Sequence, residues 1–128
     1  MSQYPIKTKT NGLKIEIWAK VKGKNSSFEG WFCFDTGSYT VVLPNKILKE
    51  IGAEKTTKIT ASGFAGKTKG DLYKISVECG EIEVDRVEAF SSEEEYYLIG
   101  MNFITRGKFG FFFDRQQLFL ITEENLNG

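Results

Sequence analysis

The chain of 128 residues contains no histidine and only two cysteines. Without histidine it cannot build the Ser-His or Cys-His pairs of nucleophilic hydrolases, and two cysteines alone make a poor zinc site. We therefore expect neither a metal nor a cofactor. Cys33 lies in an apolar segment and Cys79 ends another one beside Gly80, so we expect buried free thiols rather than a disulfide.

The chain also lacks an excess of charge of either sign, because its 17 basic and 17 acidic residues cancel. This balance argues against a nucleic acid or an anionic membrane as partner. No apolar run approaches the roughly 18 residues of a membrane span, and residues 1–7 lack the apolar centre of a signal peptide. We expect one cytoplasmic domain over residues 1–128, with flexible ends at 1–11 and 122–128.

Residues 32–38 form the most informative stretch, in which an apolar run leads into Asp35-Thr36-Gly37-Ser38. A carboxylate in an apolar setting must be paired, hydrogen-bonded or neutralised, because a lone buried charge is costly. Gly37 offers a sharp turn at positive φ, and the hydroxyls of Thr36 and Ser38 are short enough to hold the carboxylate. Taken alone, the tetrapeptide also fits an ordinary hairpin turn.

Two separate motifs carry a family resemblance. Asp35-Thr36-Gly37-Ser38, followed by the β-prone residues 39–44, resembles the active-site segment of aspartic proteases. Residues 97–104, in which a glycine follows two apolar residues and opens a short helix, resemble the second signature of that fold. The order and separation of the motifs are similar to those of the single-domain, retropepsin-like branch, and the resemblance covers about residues 14 to 121.

The resemblance implies an all-β, closed-barrel acid protease fold with one or two short helices. It implies catalytic positions at Asp35, Thr36 and Gly37, with support from Ser38, Ile99 and Gly100. In the family, the threonine hydrogen-bonds across a dimer axis, and a serine after the glycine bonds the outer carboxylate oxygen. Ser38 matches that serine, which implies a more acidic pH optimum than in members with alanine there.

Peptide hydrolysis by this chemistry needs two carboxylates around one water, one to accept a proton and one to donate a proton. Only one Asp-Thr-Gly occurs here; Asp71, Asp85 and Asp114 lack the apolar lead-in and the following Thr-Gly. The second carboxylate must then come from another copy of the chain, which predicts a two-fold homodimer acting on a peptide or an unfolded protein. Two facing carboxylates share one proton, which confines activity to a limited pH range.

The residues between the two motifs predict strands and a flap. Alternation predicts a half-buried strand over residues 13–21 with Leu13 on its buried face. Continuous apolarity predicts a strand buried on both faces over residues 28–34. Two β-prone segments, residues 56–60 and 72–77, bracket a tip of small residues that by resemblance is the substrate-binding flap: Ser62, Gly63, Phe64, Ala65 and Gly66. On local sequence the tip also fits an ordinary glycine-rich hairpin loop.

Short helices are predicted after each motif. Pro44 suits a first helical turn, and Gly52 follows the apolar positions of that helix and stops it. Gly100 opens the second helix, and Gly107 suits a glycine cap at its end. Residues 109–113 and 118–121 then predict a final hairpin.

Two other functions fit parts of the sequence. The same dimeric fold would serve as a peptide-binding module if its cleft held an extended peptide by strand addition without turnover. A small oligonucleotide-binding barrel would use the aromatic residues for stacking, but the neutral charge argues against it.

Overall fold

A computed structural model describes residues 1–63 and 66–123, and it describes only the backbone of 57–63 and 66–69. The described chain is mostly β-structure with two short helices. In chain order, its elements are β1 (Ser2–Ile6), β2 (Thr8–Asn11), β3 (Lys14–Lys22), β4 (Ser27–Phe34), β5 (Val41–Pro44), α1 (Asn45–Ile51), β6 (Glu54–Gly63), β7 (Gly66–Cys79), β8 (Ile82–Ser92), β9 (Leu98–Ile99), α2 (Met101–Gly107), β10 (Gly110–Asp114) and β11 (Gln117–Thr122).

The larger sheet closes on itself, as expected for the acid protease fold. Its strand order is β2-β3-β4-β9-β5-β8-β7-β6. An additional antiparallel pairing joins β3 to β7 through Lys20, Val21 and Lys22. The six strands from β3 to β7 in that order therefore form a closed ring, which leaves β2 and β6 outside it.

The inside of the ring holds the hydrophobic core. Ile17, Ala19 and Val21 of β3 and Phe32 of β4 are at most 1% exposed, and full burial of a large apolar side chain contributes about 1.5–3 kcal/mol. The prediction that β4 is buried on both faces is wrong, because Trp31 and Cys33 are only half-buried. Leu13 is also not on the buried face; it is fully exposed at the turn between β2 and β3.

A second, three-stranded sheet has the order β1-β11-β10 and brings the chain ends together. Residues 1–11, for which the sequence predicts a flexible arm, are paired instead: β1 with β11 and β2 with β3. Gly12 turns the β2–β3 hairpin at a φ of +63°, as its Asn-Gly sequence indicates. The predicted tail begins at Thr122, which is the last residue of β11, and residues 124–128 lie outside the described part.

The helix ends agree with the sequence in two cases, one of which is Gly100 as the N-cap of α2, and differ in two. Gly52 ends α1 at a left-handed φ of 74°, as predicted. Pro44 is the N-cap of α1 rather than part of its first turn. Gly107 is the last residue of α2, and Lys108 takes the left-handed cap with a φ of 58°. A Cβ on Gly107 would lie 2.2 Å from the Phe109 ring, so close packing explains this glycine.

Candidate active site

Asp35 follows the buried end of β4, where that strand runs parallel to β9. Its backbone N–H donates to the Ile99 carbonyl at 3.0 Å, and the Cys33 N–H donates to the Tyr97 carbonyl at 2.8 Å. The two sequence motifs are thus adjacent in space, as predicted. Because β4 lies between β3 and β9 in the sheet, hydrogen bonds to neighbouring strands fix the backbone position of Asp35.

The loop after Asp35 folds back onto its carboxylate. The Gly37 N–H donates to Asp35 Oδ1 at 2.9 Å, and the Ser38 N–H donates to the Asp35 carbonyl at 3.2 Å. The predicted positive φ at Gly37 is wrong, because this glycine is not among the residues with positive φ. A Cβ there would lie 3.2 Å from Asp35 Oδ1, so glycine leaves room for the carboxylate instead.

The neighbouring hydroxyls differ from the family pattern in one respect. Ser38 Oγ donates to the Thr40 carbonyl at 2.8 Å and so does not donate its single proton to Asp35. The implied bond between Ser38 and the outer carboxylate oxygen is therefore wrong, and the argument for a more acidic optimum loses its basis. Thr36 is exposed, and its bond across a dimer axis stays a prediction.

Helix α2 supports the active-site loop from behind. The Met101 N–H donates to the Ser38 carbonyl at 2.8 Å, and the Asn102 N–H donates to the Tyr39 carbonyl at 2.7 Å. Gly100 permits this contact, because a Cβ at that position would lie 2.2 Å from the Thr40 carbonyl oxygen. Ile99 is fully buried beneath the loop. The structure thus places both predicted supporting residues of this segment against the loop.

We expect Gly100→Ala to lower the free energy of unfolding by about 3 kcal/mol, at the upper end of the usual cost of overpacking. The added methyl group has backbone rather than a flexible side chain as its nearest neighbour. The matched control is Gly30→Ala, whose Cβ would make only ordinary contacts at 3.6 Å with the Phe28 ring. Urea denaturation measures both variants, and equal stability of the two would contradict the role of Gly100.

Asn102 is a structural residue that the sequence analysis did not single out. It is the one buried polar side chain among the described residues, with 7% exposure. Its Oδ1 accepts from the Val41 N–H at 3.1 Å, and its Nδ2 donates to the Glu88 carbonyl at 2.7 Å. Asn102 thereby joins α2 to β5 and β8 around the loop. Its place two residues after Gly100 was the only signal available in the sequence.

Both cysteines are free thiols, as predicted, but the predicted burial holds only for Cys79, because Cys33 is half-buried. Cys33 lies two residues before Asp35. Burial raises the pKa of the Cys33 thiol, and the negative charge of Asp35 raises it further. Cys79 is fully buried, and burial raises its pKa to about 12. Neither thiol is therefore activated as a nucleophile.

Cys33 provides a chemical readout of the charge on Asp35. We expect Cys33 to react slowly with iodoacetamide at pH 8, because a raised pKa leaves little thiolate. In Asp35→Asn the nearby negative charge is gone, so the pKa falls and alkylation becomes faster. Mass spectrometry of the native protein measures the rate, and Cys33→Ser identifies the labelled site. An unchanged rate in Asp35→Asn would contradict the coupling.

The predicted flap falls largely on residues whose side chains are not described. Strands β6 and β7 pair from Glu54 and Lys74 to Gly63 and Gly66, so the backbone forms the predicted hairpin. Phe64 and Ala65 lie outside the described residues, and Ser62 is described only as backbone. The assignment of residues 62–66 to substrate binding therefore stays a prediction.

The described residues contain no group of three or more histidine, cysteine, aspartate or glutamate side chains placed to hold a metal. Within the same residues, no helix has the length and apolarity to cross a membrane. The group that the site offers for chemistry is the Asp35 carboxylate, on a loop that hydrogen bonds join to β9 and α2.

An Asp-Thr-Gly carboxylate on a loop that is supported by β9 and α2 is typical of aspartic proteases, and comparison with family models gives the same class. Residues 17–103 match the family described as aspartyl protease. The match spans more than half of the chain and includes the first motif and residues 97–103 of the second. The chain belongs to the aspartyl protease family.

Three solved structures show the retropepsin-like fold. A retropepsin-like aspartic protease from Rickettsia conorii has a TM-score of 0.62 at 19% identity, with coverage of 93% of this chain and 90% of the other. The EIAV protease complexed with the inhibitor HBY-793 has a TM-score of 0.61 at 13% identity, covering 76% and 92%. The simian foamy virus (mac) protease has a TM-score of 0.51 at 17% identity, covering 70% and 91%. A search of curated proteins found no match.

Proposed function

We propose that the protein is an aspartic endopeptidase that works as a homodimer, with Asp35 of each subunit at a shared catalytic site. The observation that carries the proposal is the Asp35 loop. The Asp35 carboxylate accepts a hydrogen bond from the Gly37 N–H. The backbone carbonyls of Ser38 and Tyr39 accept hydrogen bonds from N–H groups of α2. A carboxylate that is fixed in position suits acid–base chemistry, and the exposed neighbours Thr36 and Gly37 leave it accessible to a bound peptide.

In the proposed reaction, one Asp35 carboxylate accepts a proton from water while the water oxygen attacks the peptide carbonyl carbon. The partner carboxyl group donates its proton to the carbonyl oxygen, which gives a neutral tetrahedral intermediate. The C–N bond of that intermediate then breaks: the first Asp35, now protonated, gives its proton to the leaving nitrogen, and the partner carboxylate takes a proton from one hydroxyl of the intermediate. No bond to the enzyme forms, and the pair is left with one proton. The chemistry requires one ionised and one protonated group, so kcat/KM should follow a bell-shaped pH profile.

The three-stranded sheet offers the surface for the second subunit. β10 lies at the end of the order β1-β11-β10, so one edge of it is available for pairing. Phe113 of β10 is 37% exposed, and its ring lies 6.4 Å from that of Phe34, the residue before Asp35. A subunit that covers Phe113 would therefore approach the catalytic loop.

The test is hydrolysis of an unfolded protein and of a peptide library from acidic to neutral pH, with and without a statine-type inhibitor. Inhibitable cleavage by the wild type, with a bell-shaped pH profile, is the expected result. Stoichiometric peptide binding without cleavage at every pH would identify a binding module instead. The proposed location is the cytoplasm, which cell fractionation checks.

A further inference from the structure

A groove of about 360 Å³ lies beside the active-site loop, between β7, β8 and α2. We call it the basic groove. Its wall includes Tyr39 of the loop, Lys74 of β7, Arg86 and Glu88 of β8, and Thr105 and Arg106 of α2. Tyr39 is 69% exposed and lies four residues after Asp35. The basic groove therefore begins where the catalytic loop ends.

The charges of the basic groove favour an anion. Its wall contains three cations and one carboxylate. Lys74 and Glu88 face each other across the β7–β8 pairing, which leaves Arg86 and Arg106 without an acidic counterpart in the wall. None of the ion pairs between described residues involves Lys74, Arg86 or Arg106.

A bulge in β8 presents Arg86 on the surface. The register shifts so that Ile75 pairs with Val87 but Val77 pairs with Val84. Both valines are buried, and the two residues between them are exposed. Arg86 has a φ of 58°, a costly conformation for a residue with a Cβ. Bulges of this kind redirect a side chain and are frequent next to active sites.

Arg106 is fixed beside the bulge with most of its donors still available. Its Nε donates to the Asp85 carbonyl at 3.0 Å. An arginine has five N–H donors, so the terminal nitrogens of the guanidinium group remain for a ligand. Planar guanidinium groups match carboxylates with two parallel hydrogen bonds.

Hydrogen bonds join the basic groove to the active-site loop. Asn102, which lines the groove, accepts from the Val41 N–H at Oδ1, donates from Nδ2 to the Glu88 carbonyl, and donates from its backbone N–H to the Tyr39 carbonyl. These bonds connect α2 and β8, which both line the groove, to the loop that follows Asp35.

We propose that the basic groove is an exosite for acidic side chains of the polypeptide substrate, outside the segment that is cleaved. The proposal rests on the proposed protease function. Tyr39 is four residues after Asp35, so their Cα atoms are at most about 15 Å apart. An extended peptide held at Asp35 advances by about 3.3 Å per residue, so about five residues beyond the cleaved bond would be long enough to reach Tyr39. Aspartate and glutamate side chains there would bind Arg86 and Arg106.

The experiment compares two peptides with the same cleaved core, one with a glutamate-rich extension on either side and one with glutamine in place of each glutamate. We expect the wild type to show a KM about 5- to 10-fold lower for the acidic peptide, with similar kcat, because exposed ion pairs give modest gains. Added salt should reduce the difference. In Arg86→Gln/Arg106→Gln the ratio of the two KM values should fall to about one.

The matched control is Lys20→Gln/Lys49→Gln, which removes two cations outside the basic groove and should keep the wild-type ratio. Equal KM values for both peptides in the wild type, or loss of the ratio in the control as well, would overturn the exosite. Fluorescence anisotropy of the labelled acidic peptide with Asp35→Asn separates the two proposals. Tight binding that depends on Arg86 and Arg106, without cleavage by the wild type, would contradict the protease function. It would leave the basic groove as a binding site for acidic peptides.

Discussion

Replacing Asp35 with asparagine is expected to lower kcat/KM for peptide hydrolysis by at least about 10³-fold. Asparagine neither accepts a proton from water nor donates one as an acid. Its Oδ1 still accepts from the Gly37 N–H, which holds the wild-type carboxylate at 2.9 Å, so the loop should keep its geometry. The loss should appear in kcat, whereas binding of a peptide inhibitor should persist.

The matched control for Asp35→Asn is Glu50→Gln, which removes one carboxylate from the exposed side of α1. Cleavage is followed with purified wild type and both variants over acidic to neutral pH. Full activity of Asp35→Asn would show that a contaminating protease or another residue performs the reaction. Equal unfolding midpoints in urea confirm that the comparison concerns chemistry rather than folding.

If the proposed dimer forms through the surface that includes Phe113, replacing Phe113 with glutamate is expected to convert it to a monomer and to remove activity at low enzyme concentration. The exposed ring lies next to Phe34, and two-fold symmetry brings two copies of any new charge to the same interface. Sedimentation velocity measures the dimer, and the activity of a weakened dimer should rise with the square of enzyme concentration. Phe113→Ser removes the ring without adding charge and should weaken the dimer less.

Leu13→Glu is the matched control for Phe113→Glu, because Leu13 is a fully exposed apolar residue at the β2–β3 turn, outside β10. It should leave both sedimentation and activity unchanged. Circular dichroism checks that Phe113→Glu is folded. A wild-type protein that stays monomeric at high concentration would lack the second carboxylate and would contradict the proposed mechanism. A monomeric variant with full activity would show that no second subunit is needed.

Local signals in the sequence were sufficient at two glycines that act through their own backbone. Gly52 ends α1 and Gly12 turns a hairpin because both adopt a positive φ that glycine tolerates. The proximity of Asp35 to Ile99 and Gly100 was also predictable, because each motif carries its own residue pattern. The flap tip at Phe64 and Ala65 stays a prediction.

Features that depend on how side chains and backbone pack in the folded chain, even between residues two apart in sequence, were not predictable from the pattern. Gly107 is a glycine because of the Phe109 ring, so Lys108 takes the cap. Ser38 donates to Thr40 rather than to Asp35 because the loop places the Thr40 carbonyl at 2.8 Å. Phe112 and Phe119 stack with their ring centroids 5.1 Å apart across the final hairpin, a contact that the register of β10 and β11 sets.

By itself, the sequence determined the family, the all-β class and the position of the single Asp-Thr-Gly, because those depend on residue type and order along the chain. Only the tertiary structure decided which groups surround Asp35, that Asn102 joins three elements behind its loop, and that Arg86 and Arg106 line one groove together with Tyr39. Such contacts connect residues that are far apart in sequence. Their formation depends on closure of the barrel and on the packing of α2, which no local pattern encodes.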